Sequence, residues 1–108
     1  MLTLPLQTKW FRLIKDGTKK EEYRDIIPYY CVRLCAKYNP SNFECRHCAT
    51  ALCQPTPKVH SIDFTLGYPP AGDNERHLLR YVLSIEKGHG LPHLGADPQK
   101  KQFIVKLF

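Results

Sequence analysis

The chain has no apolar run approaching the roughly 18 residues that span a bilayer. Residues 1–6 also lack the charged start and continuous apolar core of a secretory signal. Both absences argue against membrane insertion and export, so a cytoplasmic protein is expected. No internal repeat and no low-complexity tract occurs, which excludes repeat architectures and long unstructured arms. Negative charge is scarce: 10 Asp and Glu stand against 16 Lys and Arg, a formal net charge of +6. The corresponding isoelectric point is about 9.2. Such a balance favours polyanionic partners, through steering and counterion release. What is present is ordinary for a folded domain: 43% hydrophobic and 24% charged residues in a chain of 108. That length suits one domain over residues 1–108, able to bury roughly two-thirds of its unfolded surface.

The basic excess is local. Lys9, Arg12, Lys15, Lys19, Lys20, Arg24 and Arg33 face only Asp16, Glu21, Glu22 and Asp25 across the same stretch. Leu2, Leu4 and Leu6 alternate with Thr3 and Pro5, which predicts a strand whose proline suits a sheet edge. Thr8 is a suitable N-cap for a short helix with Trp10, Phe11, Leu13 and Ile14 on its apolar face, ended by Gly17. Lys20 to Arg24 alternates as a second strand, with Tyr23 directed to the core and Glu21 nearer the rim. Pro28 interrupts the pattern, and Tyr29 to Tyr38 has room for another helical piece. Strands are then expected over Val59–Tyr68, His77–Lys87 and Gln102–Phe108. In the second of these, Leu79, Tyr81, Leu83 and Ile85 share one face, with Leu78 and Val82 on the other. The order is strand, helix, strand, helical insert, three strands. It implies an α+β domain and is compatible with a small β-barrel carrying a short helix after its first strand. An open sheet fits the periodicity equally.

The stretch Gly17-Thr18-Lys19-Lys20-Glu21-Glu22-Tyr23-Arg24 carries the chemistry. Glu22 and Arg24 lie two apart on a strand and so share a face. Lys19 precedes that strand and can turn the same way. Arginine offers a planar fork for phosphate or carboxylate. Lysine can act as a point charge, base or nucleophile, and glutamate can accept a proton or position the lysine. On spacing alone, a solvated strand with weak ion pairs accounts for the pattern more readily.

Matching segments change that weighting. Trp10-Phe11, Ile14, the G-x-K-x-x-E-x-R run from Gly17 to Arg24, and Ile27-Pro28-Tyr29 resemble the N-terminal signature of the ASCH domains. Ile62-Asp63-Phe64 with Gly67-Tyr68 resembles the middle strand of that family. Lys87-Gly88-His89-Gly90-Leu91-Pro92, Gly95-Ala96 and Phe103-Ile104-Val105-Lys106-Leu107 resemble its end. The resemblance covers most of the chain except residues 36–57. It implies a PUA-like β-barrel with a cleft beside the first helix, an association with RNA, and ribonuclease activity in some members. A related branch deacetylates acetylcytidine through a lysine, a threonine and a glutamate. Lys19 matches that lysine, Glu22 stands where the threonine falls, and Glu86 is the one glutamate of the long strand.

The expected site therefore has Lys19 and Arg24 stabilising phosphate charge and Glu22 as general base on a 2′-hydroxyl or water. Trp10, Lys20, Tyr29 and Tyr68 are expected to contact RNA or a nucleotide-derived ligand, by charge or stacking. His89, in the loop Lys87 to Gly95, joins them as a titratable group between two glycines that allow close backbone approach. Where family members often carry an aromatic residue before Gly95, this chain has Leu94.

Residues 36–57 form an irregular cysteine-containing insert. Cys31-x-x-x-Cys35 and Cys45-x-x-Cys48 supply four thiols, with His47 and Cys53 as spares. The second pair has zinc-knuckle spacing, and the first can lie on one face of a helical turn. Only nine residues separate the pairs, fewer than in a zinc ribbon. No cofactor is required by the cleft; structural zinc in the insert and ordinary free thiols are the two readings of the cysteines. Three functions follow: an RNA- or nucleotide-binding module; an enzyme, either a ribonuclease or an amidohydrolase acting on a modified nucleoside such as acetylcytidine; or a non-catalytic regulator meeting a protein partner through the insert.

Overall fold

A computed structural model describes residues 2–108. Its elements are β1 (Leu2–Leu6), α1 (Thr8–Lys15), β2 (Glu21–Asp25), α2 (Pro28–Leu34), α3 (Phe43–Arg46), β3 (Ser61–Leu66), β4 (His77–Gly88) and β5 (Gln102–Leu107). Single 3-10 turns precede β4 at Asn74–Arg76 and follow it at Pro92–Leu94. The five strands form one curled mixed sheet in the order β1-β3-β4-β5-β2. Only the β1–β3 pair is parallel. The result is an α+β fold with a half-barrel sheet. Among the described residues no helix is long and apolar enough to cross a membrane.

β4 holds the sheet together because it serves two partners. Its first half pairs with β3, from Thr65↔His77 to Ser61↔Tyr81, and its second half with β5, as far as Gly88↔Gln102. A bulge between Val82 and Ser84 marks the change. One extra residue reverses the alternation of side chains. Leu79, Tyr81 and Leu83 therefore face outward, at 45%, 59% and 61% exposure, while Ile85 beyond the bulge is 3% exposed. Strict alternation puts all four on one face; the bulge corrects this.

The main core lies inside the curl, where Leu4, Leu6, Ile62, Phe64, Ile85, Phe103, Val105 and Leu107 meet Phe11 and Ile14 of α1 and Cys31 and Leu34 of α2. A smaller cluster of Tyr23, Leu94 and Ala96 sits on the other face of β2, with Leu13 and Ile104 against it. Tyr23 thus enters this satellite cluster and not the main core, because it pairs with Ile104 while Glu22 and Arg24 pair with the core residues Val105 and Phe103.

Gln7, not Thr8, occupies the N-cap of α1, and its side chain makes no cap hydrogen bond. Gly17 adopts φ +86°, the left-handed conformation that glycine accepts without strain, and turns the chain out of α1. Pro28 opens α2 at its first position, where the missing N–H costs nothing. β1 is an edge strand, as its proline suggests.

Candidate functional site

The turn after α1 is fastened at two points. The Lys19 amide donates to the Leu13 carbonyl (2.9 Å), and the Leu107 amide donates to the Lys20 carbonyl (2.9 Å). With its backbone held by α1 on one side and β5 on the other, the Lys19 side chain is directed inward and is 1% exposed. Its ammonium lies 3.0 Å from Glu22 Oε1. It also sits 4.4 Å from the Trp10 ring centroid and 5.3 Å from that of Tyr23, so aromatic faces supply part of its surroundings.

Glu22 is the hub. Its Oε2 accepts from Arg24 Nη2 at 2.9 Å, and its Oε1 also accepts the Tyr23 amide at 3.0 Å. A carboxylate has about four acceptor positions, so three donors leave one for a ligand. Arg24 reaches further: Nη2 donates to the Pro5 carbonyl (3.1 Å) and Nη1 to the Tyr30 hydroxyl (3.2 Å). Because β1 and β2 are the two edges of the curled sheet, this guanidinium clasps strands that no backbone ladder joins. Arg24 Nε is buried and has no hydrogen-bond partner among the described residues.

These side chains line a cleft of about 300 Å³ with Pro5, Leu6, Gln7, Trp10, Tyr23 and Gly95. Gly95 is at φ +105°, and a Cβ there would stand 3.2 Å from Trp10 and 3.3 Å from Lys19 Nζ. Glycine thus allows the 91–96 loop to close over the lysine. Gly90 is equally constrained, since its Cβ would fall on the Tyr23 ring. The Tyr23 hydroxyl donates to Glu21 (2.8 Å) and accepts the Leu91 amide (3.2 Å). Burial, first among several causes, pushes its pKa up to about 12.

Of the eight residues expected at the cleft, Lys19, Glu22, Arg24 and Trp10 converge in it, and the other four stand outside its lining. Lys20 is exposed over a separate hollow with Gly17, Arg80 and Phe108. Tyr29 is 55% exposed on α2, where the Arg33 guanidinium covers its ring at 3.5 Å. Tyr68 is 93% exposed beyond β3, and His89 is exposed beyond β4. Sequence reasoning missed Gln7, Gly95, the Pro5 carbonyl and the Tyr30 hydroxyl. Gly95 left a signal, as a glycine in a loop already suspected of close approach. The Pro5 carbonyl and Tyr30 left none, because the curl of the sheet alone brings them to Arg24.

Glu86 lies far from this chemistry in role: it bonds Ser84 (3.0 Å) and pairs with Lys106 (3.2 Å). Those bonds hold its carboxyl below the usual range, the Lys106 contact contributing most.

The cysteines gather at the other end of α2. Cys31, Cys35, Cys45, Cys48 and Cys53 all line one cavity of about 160 Å³, and all are free thiols. Burial, then the neighbouring Cys48, pushes the Cys31 thiol up to about 12. Among the described residues no group of three or more His, Cys, Asp or Glu side chains is arranged to hold a metal ion as it stands. No family model matches the chain, and neither does any curated protein or solved structure.

Proposed function

We propose that this is a PUA-like ASCH domain whose cleft takes one nucleotide unit, free or within RNA, between Lys19, Glu22 and Arg24. The observation that carries the reading is the convergence of these three side chains in one cleft walled by Trp10. At about 300 Å³ the cleft is at the small end of ligand pockets. It suits a base or nucleoside and is too small for a strand. The remaining acceptor position of Glu22 offers a complementary group to a donor on a polar ligand edge. The first turn of α1 opens at Gln7 on the same cleft with no side-chain cap, and uncapped helix amides favour an anion such as phosphate. In phosphodiester cleavage Glu22 would take the 2′-hydroxyl proton as that oxygen attacks phosphorus, and the two cations would stabilise the phosphate oxygens. The P–O5′ bond would break to leave a 2′,3′-cyclic phosphate and a 5′-oxygen protonated from water.

Trp10 is the single tryptophan, so its fluorescence reports on the cleft alone. Nucleosides, nucleoside monophosphates and short single-stranded RNA are expected to change that fluorescence saturably, and Glu22→Gln to remove the change. No response to any of them at millimolar concentration refutes the reading. In parallel, unchanged cleavage of RNA by Lys19→Ala and Glu22→Ala preparations refutes the catalytic step while leaving binding intact.

A further inference from the structure

The insert poses a physical problem of its own. Across residues 36–57 only Pro55 is buried, and α3 is a single turn with no buried residue. Such a segment lacks the apolar surface needed to offset its ordering entropy. Yet it returns all its cysteines to one place, facing Cys31 and Cys35 at the end of α2 around the same cavity.

We propose that Cys31, Cys35, Cys45 and Cys48 form a structural site for a thiophilic divalent cation of the zinc class, and that the metal orders the insert. Cys31 and Cys35 are four apart and so project from one side of α2 and its C-cap. Cys45 and Cys48 flank the end of α3, a spacing that lets two thiolates bind one ion. Soft thiolates select zinc over hard cations. The His47 ring packs on Phe43 at 4.6 Å and lines a neighbouring hollow with Cys31, Cys45 and Cys48, not the cavity that all five cysteines share. Cys53 lines the same cavity but is the exposed one of the five, which leaves it as the spare thiol. Four-thiolate zinc carries a formal double negative charge, and a cation is already in place beside it. Lys87 of β4 reaches into the insert, donating to the carbonyls of Cys48 (2.9 Å) and Ala51 (2.8 Å). The same ammonium lies 3.9 Å from Cys48 Sγ and 3.7 Å from Cys53 Sγ. Among the described residues it has no carboxylate partner. Binding releases the thiol protons to solvent and requires the four sulfurs to turn inward from the cavity wall.

The test is elemental analysis of untagged full-length protein, purified under reducing conditions without chelator, followed by Co²⁺ titration of the metal-stripped protein. About one zinc per chain and the intense visible bands of tetrahedral cobalt–thiolate are expected. Cys45→Ser, on the exposed insert, should lose the stoichiometric metal, while Cys53→Ser should keep it. Lys87→Met should weaken the metal about 10–100-fold in chelator competition, as loss of an outer-shell partner does. Absence of both zinc and cobalt–thiolate bands overturns the proposal. So does a Cys53→Ser variant that loses metal while Cys45→Ser retains it, since that assigns the ligands wrongly.

Discussion

Glu22→Gln is the sharpest perturbation of the cleft. The change keeps the shape of the side chain but replaces one acceptor oxygen by an NH₂ group. Glu22 is 5% exposed and faces two cations, at 3.0 Å and 2.9 Å. Glutamine can satisfy only one of them, so the other meets a donor. Lys19, at 1% exposure, is left largely desolvated. Removing one partner of a buried ion pair costs about 3–5 kcal/mol, a large part of a domain's total of about 5–15 kcal/mol. In urea this is a midpoint shift of roughly 1–5 M. Lys19→Met behaves differently: Glu22 keeps Arg24 and the Tyr23 amide, and a desolvated charge disappears. Its cost should stay below about 1.5 kcal/mol. The double variant Lys19→Met/Glu22→Gln should be more stable than Glu22→Gln alone, because no cation is stranded and the amide oxygen can serve Arg24. A coupling energy of about 1–3 kcal/mol is expected from the cycle. The assay is equilibrium urea unfolding followed by Trp10 fluorescence and far-UV circular dichroism. If Glu22→Gln stays within about 0.5 kcal/mol of the parent and the cycle shows no coupling, the three side chains do not form a buried network, and the account of the cleft fails with it.

Gly95→Ala should lose about 1–3 kcal/mol from its left-handed backbone and push Trp10 off Lys19, seen as a shifted emission maximum; an unshifted, fully stable variant contradicts the close approach. His77 Nδ1 lies 2.8 Å from Asp63 Oδ2, and that hydrogen bond raises the imidazole pKa above its ordinary 6.5. The link between β3 and β4 is therefore fully stabilising below pH about 6.5 and is lost as pH rises through the raised folded value. NMR titration should show His77 falling towards the ordinary value in Asp63→Asn. In reduced, metal-stripped protein, alkylation near pH 8 should modify exposed Cys53 first and Cys31 last, since burial keeps Cys31 protonated; mass mapping gives the order, and early loss of Cys31 refutes its burial.

The sequence made the strands legible wherever a side chain had to choose between core and solvent. Leu2 to Leu6 alternates, Ser61 to Leu66 and Gln102 to Leu107 alternate over most of their length, and each is a strand within two residues of the expected bounds. The reasoning broke where alternation itself breaks. The bulge at Val82 to Ser84 leaves no residue signature, so Leu83 and Ile85 read as neighbours on one face. Tyr23 is buried as expected, though in the smaller of the two core clusters. An aromatic beside two charged residues looks like the core residue, yet in β2 the charged pair takes the inner face. The cleft trio was legible because Glu22 and Arg24 share strand parity. Lys20, Tyr29 and Tyr68 were drawn in by residue type and His89 by its glycine loop, and neither signal says which way an exposed side chain points.

That inward charged face still needs a reason. Glu22 and Arg24 oppose Val105 and Phe103, both fully buried, where apolar side chains of similar volume would be at least as stable. Part of the reason is mechanical. Arg24 joins the Pro5 carbonyl of one sheet edge to the other edge, and Glu22 holds it in that pose. This clasp, however, needs one cation and one carboxylate. Lys19 adds a second cation whose ammonium pairs with Glu22 and, among the described residues, makes no hydrogen bond to β1, and Gly95 is held in a left-handed conformation beside it. A residue that costs desolvation and has no part in the clasp is the one whose removal separates folding from function. Lys19→Met should therefore leave stability nearly intact and abolish the nucleotide response of Trp10. If instead stability falls by as much as in Glu22→Gln while the response survives, Lys19 is a strut of the fold and the ligand lies elsewhere.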